Sequence, residues 1–324
     1  LPGAAGGTLN SLTFKAPSAT ATLSYDSLAR PSSVSTSSGI ATSFGYGAWG
    51  KLVDRVSTTW SSGGQKDVAW GYDDYLRIGS ESVSGGSSIS YQFDHDSLIT
   101  HAISASPFLD LNLANRSSQS GRLNSLSCGS LTTTATYDPI YGDPTTIATS
   151  YAGSNIYTLG FTFDTVGRIS TRTDQVGAEP QSSVTYVYDT DGRLVGADGH
   201  SYGYDARGNR TTLDGSTVAA YDAQDRITQF NSVTYEHDAA GRRTARIAGA
   251  LTSKYGYDAV GNLLNATLPD GSSVTYTLDG FGRRVSRAKN GIERRFLYAE
   301  GHRLVAVLDA SGAVLEQFVY ATRR

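Results

Sequence analysis

Apolar and polar positions alternate along almost the whole chain, and turn residues interrupt the alternation at short intervals. Aromatic pairs two residues apart make the period plain: Trp70 and Tyr72, Tyr91 and Phe93, Phe161 and Phe163, Tyr186 and Tyr188, Tyr202 and Tyr204, Tyr255 and Tyr257. Residues i and i+2 share one face of a strand. No window sustains the 3.6-residue period of a helix. The pattern predicts strands of about five to eight residues joined by tight turns.

The turns repeat. Tyr188-Asp189-Thr190-Asp191-Gly192-Arg193 has clear copies beginning at Phe163, Tyr204, Tyr221 and Tyr257, and looser ones at Tyr25, Tyr46, Tyr72, Phe93, Tyr137, His237, Leu278 and Tyr298. From Tyr137 onward the copies are spaced by 26, 25, 16, 17, 16, 20, 21 and 20 residues. Such a rhythm marks a repeat architecture. In Asp-x-x-Gly the aspartate bonds its own backbone and the glycine takes a left-handed conformation, which together connect a hairpin. The structural turn positions are Asp164, Gly167 and Arg168; Asp189, Gly192 and Arg193; Asp205 and Gly208; Asp222 and Arg226; Asp238, Gly241 and Arg242; Asp258 and Gly261; and Asp279, Gly282 and Arg283. Between the copies, Gly85-Gly86, Asp198-Gly199, Asp214-Gly215, Asp270-Gly271, Asn290-Gly291 and Ser311-Gly312 read as two-residue primed hairpins. Two alternating turn classes predict one continuous antiparallel ribbon with the Asp turns along one edge.

The fold class is therefore all-β, one segment spanning 1–324, with degenerate repeats over 1–160 and regular ones over 161–324. Ser97–Leu131, where the motif fades, should hold the longest loops. About 28 strands at ~4.8 Å spacing make a ribbon on the order of 130 Å wide. An eight-stranded barrel is already just filled by side chains, so a curved sheet this wide leaves space inside.

Composition narrows the function. Net charge is −3, and residues 163–324 carry 19 Lys plus Arg against 19 Asp plus Glu, so the arginine-rich half is no nucleic-acid groove. Arginine outnumbers lysine 22 to 5, which suits forked bonds to the turn carboxylates and stacking on tyrosines. Twenty tyrosines against ten phenylalanines imply half-wet rings with partnered hydroxyls. No apolar run is long enough to span a membrane as a helix. One cysteine, Cys128, leaves no internal disulfide framework. There is no methionine, and the rhythm still runs at Tyr320; further repeats of the same or a neighbouring chain should pair with these.

Tandem Tyr-Asp-x-x-Gly-Arg units at this spacing resemble the YD-repeat, or Rhs-repeat, family over roughly residues 20–320. The resemblance implies a long β-ribbon spiralling into a hollow shell. In bacterial Rhs-type and Tc toxins such a shell encloses a C-terminal toxin; the related teneurins use it for adhesion. It implies an encapsulating role, with an enclosed toxin polypeptide as partner and a secreted or cell-surface bacterial location. The alternative is a surface adhesion scaffold whose aromatic faces bind glycans. Val314–Tyr320 resembles the strand before the family's self-cleaving core. The expected Asp-Pro-x-Gly is missing there, and Asp138-Pro139 and Asp143-Pro144 lie far upstream.

Nothing else in the chain carries chemistry. His95, His101, His200, His237 and His302 lack metal-ligand spacing, and no phosphate-binding or nucleophile-elbow motif is present. The repeated aspartates serve turns. The reading is of a non-enzyme with no cofactor and no metal.

Overall fold

The computed structural model of the chain describes residues 11–13, 20–47, 50, 52–105 and 107–321. Among the described residues it has 31 strands and no helix. Pairing is antiparallel between sequence neighbours: twenty strands from Ser11–Thr13 to Ser216–Thr217 form one sheet, and eleven from Ala219–Tyr221 to Val314–Gln317 form another. The longest strandless stretch is 113–124, inside the region where the motif fades; one isolated bridge, Arg116 to Leu123, crosses it.

Asp turns close the strands ending at Tyr25, Tyr72, Phe93 and Tyr137 and, from Ser154–Phe163 to Ser273–Leu278, every second strand when Ser216–Thr217 and Ala219–Tyr221 are taken as one, which places them on one edge of an antiparallel ribbon. One departs from this. Asp309-Ala310-Ser311-Gly312 folds in the same way, with the Gly312 N–H on the Asp309 carbonyl at 3.0 Å, on the opposite edge. The second turn class also needs correction. Asp198-Gly199, Asp214-Gly215 and Asn290-Gly291 have positive φ at both residues, as primed turns require. In Gly85-Gly86, Asp270-Gly271 and Ser311-Gly312 only one glycine is left-handed. These are four-residue turns, and Pro269 presets the one ending at Gly271.

Register divides the side chains into two faces. Phe161 pairs with Arg172 and Arg172 with Val184; Tyr186 pairs with Ala197 and Tyr202 with Leu213. This aromatic face holds the residue two before each repeat aromatic. The opposite face carries Thr134, Thr146, Thr158, Thr171, Thr173 and Thr185, and is here called the hydroxyl face.

The chain forms two compact units. The first takes in Leu1–Ser90, Ser104–Pro107 and Glu236–Tyr320, and holds the main core. There Val56, Val68, Trp70 and Val83 cluster with Val285, Leu297, Ala306 and Leu308. Polar contacts tie the two layers. Trp60 Nε1 donates to the Val285 carbonyl at 3.0 Å, and Arg303 bonds Glu81 through both carboxylate oxygens, one of which also accepts from Trp70 Nε1 at 2.7 Å. Arg295 reaches Ser62 Oγ at 2.5 Å, and the Gln317 amide exchanges two bonds with the Ser87 backbone. The second unit, Tyr91–Ile103, Phe108–Tyr235 and Ala321–Arg324, is built differently. Among its described residues, none from 114 to 218 is buried, so its strands there form a single layer.

Left-handed backbone at the fourth turn position persists where glycine is absent. Ala29, Leu76, Ser97 and Asp225 have φ of 58, 61, 62 and 61°. Hydrogen bonding, not glycine alone, enforces the turn, and these residues bear strain of roughly 1–2 kcal/mol. A Cβ at Gly208 (φ +88°) would meet open space. Gly208→Val should therefore cost about 1–3 kcal/mol through backbone strain alone. Half-exposed Leu76→Gly should gain up to about 1 kcal/mol. Denaturant midpoints check both; equal effects in the same direction would refute the strain account.

Candidate functional site

The repeated unit of the molecule is the turn and what it holds. In the Asp189 turn, Asp189 Oδ1 accepts the backbone N–H of Asp191 at 3.0 Å and of Arg193 at 2.9 Å, while Oδ2 accepts Arg193 Nε at 2.7 Å. The Gly192 N–H closes on the Asp189 carbonyl and the Asp189 N–H on the Arg193 carbonyl. One carboxylate thus satisfies three donors. The turns at Asp26, Asp73, Asp164, Asp222, Asp238 and Asp279 repeat this set. At Asp205 and Asp258 an asparagine amide, Asn209 or Asn262, takes the arginine's place. Asp138 caps a loop one residue longer, which closes through Gly142 and Asp143.

Most of the arginines at the fifth turn position then face the next repeat, while Arg77 lies over Tyr75 of its own turn. Arg30 lies over the Tyr46 ring at 4.1 Å, Arg168 over Tyr188 at 4.5 Å, Arg193 over Tyr204 at 5.1 Å and Arg303 over Tyr320 at 5.3 Å. Those tyrosines reach back. Tyr188 Oη donates to the Ile169 carbonyl at 2.9 Å, Tyr204 Oη to Leu194 at 2.6 Å and Tyr298 Oη to Arg284 at 3.0 Å. In each case the acceptor immediately follows the fifth residue of the preceding turn. A register shift beside the aromatic, as between Val187 and Tyr188, marks the bulge that accompanies this turn. Arginine and tyrosine therefore link successive repeats in both directions. The hydroxyl's partner was visible in the sequence only as a preference for tyrosine; the carbonyl it meets was not.

Electrostatics follows the same bonds. At Asp26 the Arg30 side-chain hydrogen bond holds the carboxyl below its usual range, and at Asp238 the Arg242 backbone N–H does so first. At Asp189 burial pushes the value up, and the Arg193 bonds outweigh it. A carboxylate with a lowered folded pKa stabilises the fold above roughly pH 4 and loses that contribution as the pH falls below it.

The remaining candidates stay apart. His101 pairs with Asp110 and His200 with Asp214, each at 2.8 Å. No group of three metal-ligating side chains occurs among the described residues, and Cys128 is free. No described helix is long and apolar enough to cross a membrane.

Burial separates one turn from its siblings. The Asp279–Arg283 pair has side chains 0% and 5% exposed, and Arg283 Nη1 also bonds the Gly301 carbonyl at 2.8 Å; Asp164–Arg168 is 25% and 36% exposed. Arg283→Met should cost about 3–5 kcal/mol by stranding a buried carboxylate. Arg168→Met should cost about 1 kcal/mol or less. Equal losses in chemical denaturation would contradict this reading.

Comparison with known proteins places this geometry. The sequence model of the teneurin YD-shell matches residues 106–324. No protein with a curated description matches. A crystal structure of TcdB2-TccC3 without its hypervariable C-terminal region superposes with a TM-score of 0.56 at 12% identity, over 94% of this chain and 18% of that one. A Photorhabdus luminescens Tc holotoxin pore gives 0.45 at 11%, over 93% and 23%. The chain thus spans less than a quarter of either solved chain.

Proposed function

Because the chain belongs to the teneurin YD-shell family, we propose that it is one stretch of a shell that sequesters a toxin polypeptide, carried C-terminal to the repeats, until delivery. The observation that supports this reading most is the absence of any buried side chain from 114 to 218. Ten strands there sustain a wall one layer thick, held by turn and interlock bonds instead of a core. A wall of that kind suits enclosure, since its faces remain available to contents and to other wall.

The adhesion and glycan-binding alternative fits less well. Sugars stack on free ring faces, whereas Tyr46, Tyr188, Tyr202, Tyr204 and Tyr255 already carry arginine guanidinium groups on theirs. The turn carboxylates are likewise engaged by their own backbone, which leaves them poor general bases. In this proposal the segment itself has no catalytic activity and no cofactor, its partners are further repeats and the enclosed toxin, and it acts outside the producing cell.

Limited proteolysis of the full polypeptide tests the proposal. The segment following the repeats should resist a protease that readily digests the same segment expressed alone. Mild acid that weakens the turns should expose it together with the shell. Equal digestion in the presence and absence of the repeats would overturn the shell reading.

A further inference from the structure

One junction on the edge that carries the Asp turns lacks both parts of the interlock. The turn at Asp258 holds Asn262 where Arg242 and Arg283 stand in its neighbours. The repeat that follows begins with Leu278, the one copy of the motif without a ring at that position. Full interlocks flank it on both sides. Arg242 lies over Tyr257 at 5.5 Å, and the Tyr257 hydroxyl donates to the Arg243 carbonyl at 2.9 Å. Arg283 lies over Tyr298 at 5.2 Å, and the Tyr298 hydroxyl donates to the Arg284 carbonyl at 3.0 Å. The corresponding acceptor between them is the Leu263 carbonyl, to which Leu278 brings no hydroxyl.

The missing groups leave room. A cleft of about 430 Å³ opens between the two turns, with Asn262 and Leu263 on one side and Leu278, Gly282 and Arg284 on the other. The Asn262 amide bonds its own turn instead, at Asp258 Oδ2 and 2.8 Å. The ladder behind the cleft is short as well. Three pairs, from Asn265 with Thr275 to Thr267 with Ser273, join these strands, whereas each flanking junction has four.

The two sides of the cleft are held unequally. Asp279 and Arg283 are buried, Arg283 Nη1 bonds the Ala299 and Gly301 carbonyls, and a Cβ at Gly280 would collide with Val34. On the other side Ala259, Val260 and Gly261 are exposed. The Asp258 carbonyl accepts Arg242 Nη1 at 2.6 Å, a bond to the preceding repeat and not across the cleft. The far end of the same strand pair is firm. There the Gly271 N–H closes on the Leu268 carbonyl at 3.0 Å, Asp270 Oδ1 accepts the Ser272 N–H at 2.8 Å, and Asn290 Oδ1 accepts the Ser273 N–H at 3.0 Å.

We infer that the junction between the Asp258 and Asp279 turns is a seam at which the ribbon opens first, hinged at the hairpin 268–272. Coupled repeats part at their weakest interface, and local opening draws on regions with few contacts. The strands beyond the seam stay in place, because they carry the bonds from Val285, Arg295 and Arg303 to the first layer. This inference concerns the ribbon alone and stands or falls whatever the repeats enclose.

Hydrogen exchange of the native chain, resolved to single amides, tests it. Amides bonded across the seam should exchange roughly tenfold faster than those across the two flanking junctions, the equivalent of one cation–ring contact and one hydrogen bond. Asn262→Arg combined with Leu278→Tyr should slow them to the flanking rate. If circular dichroism shows that double variant misfolded, Leu278→Tyr alone, which restores only the hydroxyl, should slow them several-fold. Arg242→Asn combined with Tyr257→Leu should raise exchange across the preceding junction to the rate of the seam. Equal exchange across all three junctions in the wild type, or a seam whose exchange is unchanged by Leu278→Tyr, would overturn the inference.

Discussion

Everything in this chain depends on one carboxylate at each hairpin end. Asp189 and its counterparts convert three backbone and side-chain donors into a fixed loop, and the guanidinium they orient is thereby aimed at the next repeat. The tyrosine of that next repeat returns a hydrogen bond to the strand just begun. Stability of this kind is a sum of unit and neighbour terms, which lets the sheet extend without a growing core. It also explains how left-handed backbone survives at Ala29 and Leu76: the carboxylate bonds at Asp26 and Asp73 outweigh strain of the order of 1–2 kcal/mol.

The two units show two ways of using that ribbon. In the first, layers are packed and the core is sealed by Trp60, Glu81 and Arg303, with long-range polar contacts that fix which layer meets which. In the second, the same repeats stand as a single sheet from 114 to 218. The difference lies in the face residues, not in the turns. Valines and tryptophans occupy the aromatic face of 53–83, whereas threonine, tyrosine and arginine share the faces of 131–188. Local bonds build the ribbon, and side-chain size decides whether it acquires a second layer.

Much of this was legible from residue order because its causes are local. The period of two, the Asp-x-x-Gly turns and the tyrosine preference all act within about twenty residues, so the all-β meander was written in the spacing. The misread turns had local causes too: Pro269 before Asp270-Gly271 and Asp309 before Ser311-Gly312 make four-residue turns where a two-residue signal alone stood out. The layered core was not legible, because Trp60 and Val285 meet across 225 positions. One signal pointed toward it. Glu81 sits beside Val83 and opposite Trp70 and Ile89 on the core-facing side of its strand, and a carboxylate in that setting demands a cation from elsewhere, which Arg303 supplies.

The central claim is that neighbouring repeats are coupled through arginine and tyrosine, and a double-mutant cycle between Arg168 and Tyr188 measures that directly. With Arg168→Ala, Tyr188→Leu and the double variant compared by denaturant unfolding, the account predicts a coupling energy of about 0.5–1 kcal/mol, as for an exposed cation over a ring. The non-adjacent pair Arg168 and Tyr204 should show none. Additive losses at Arg168 and Tyr188 would mean that the repeats stand beside one another without being interlocked.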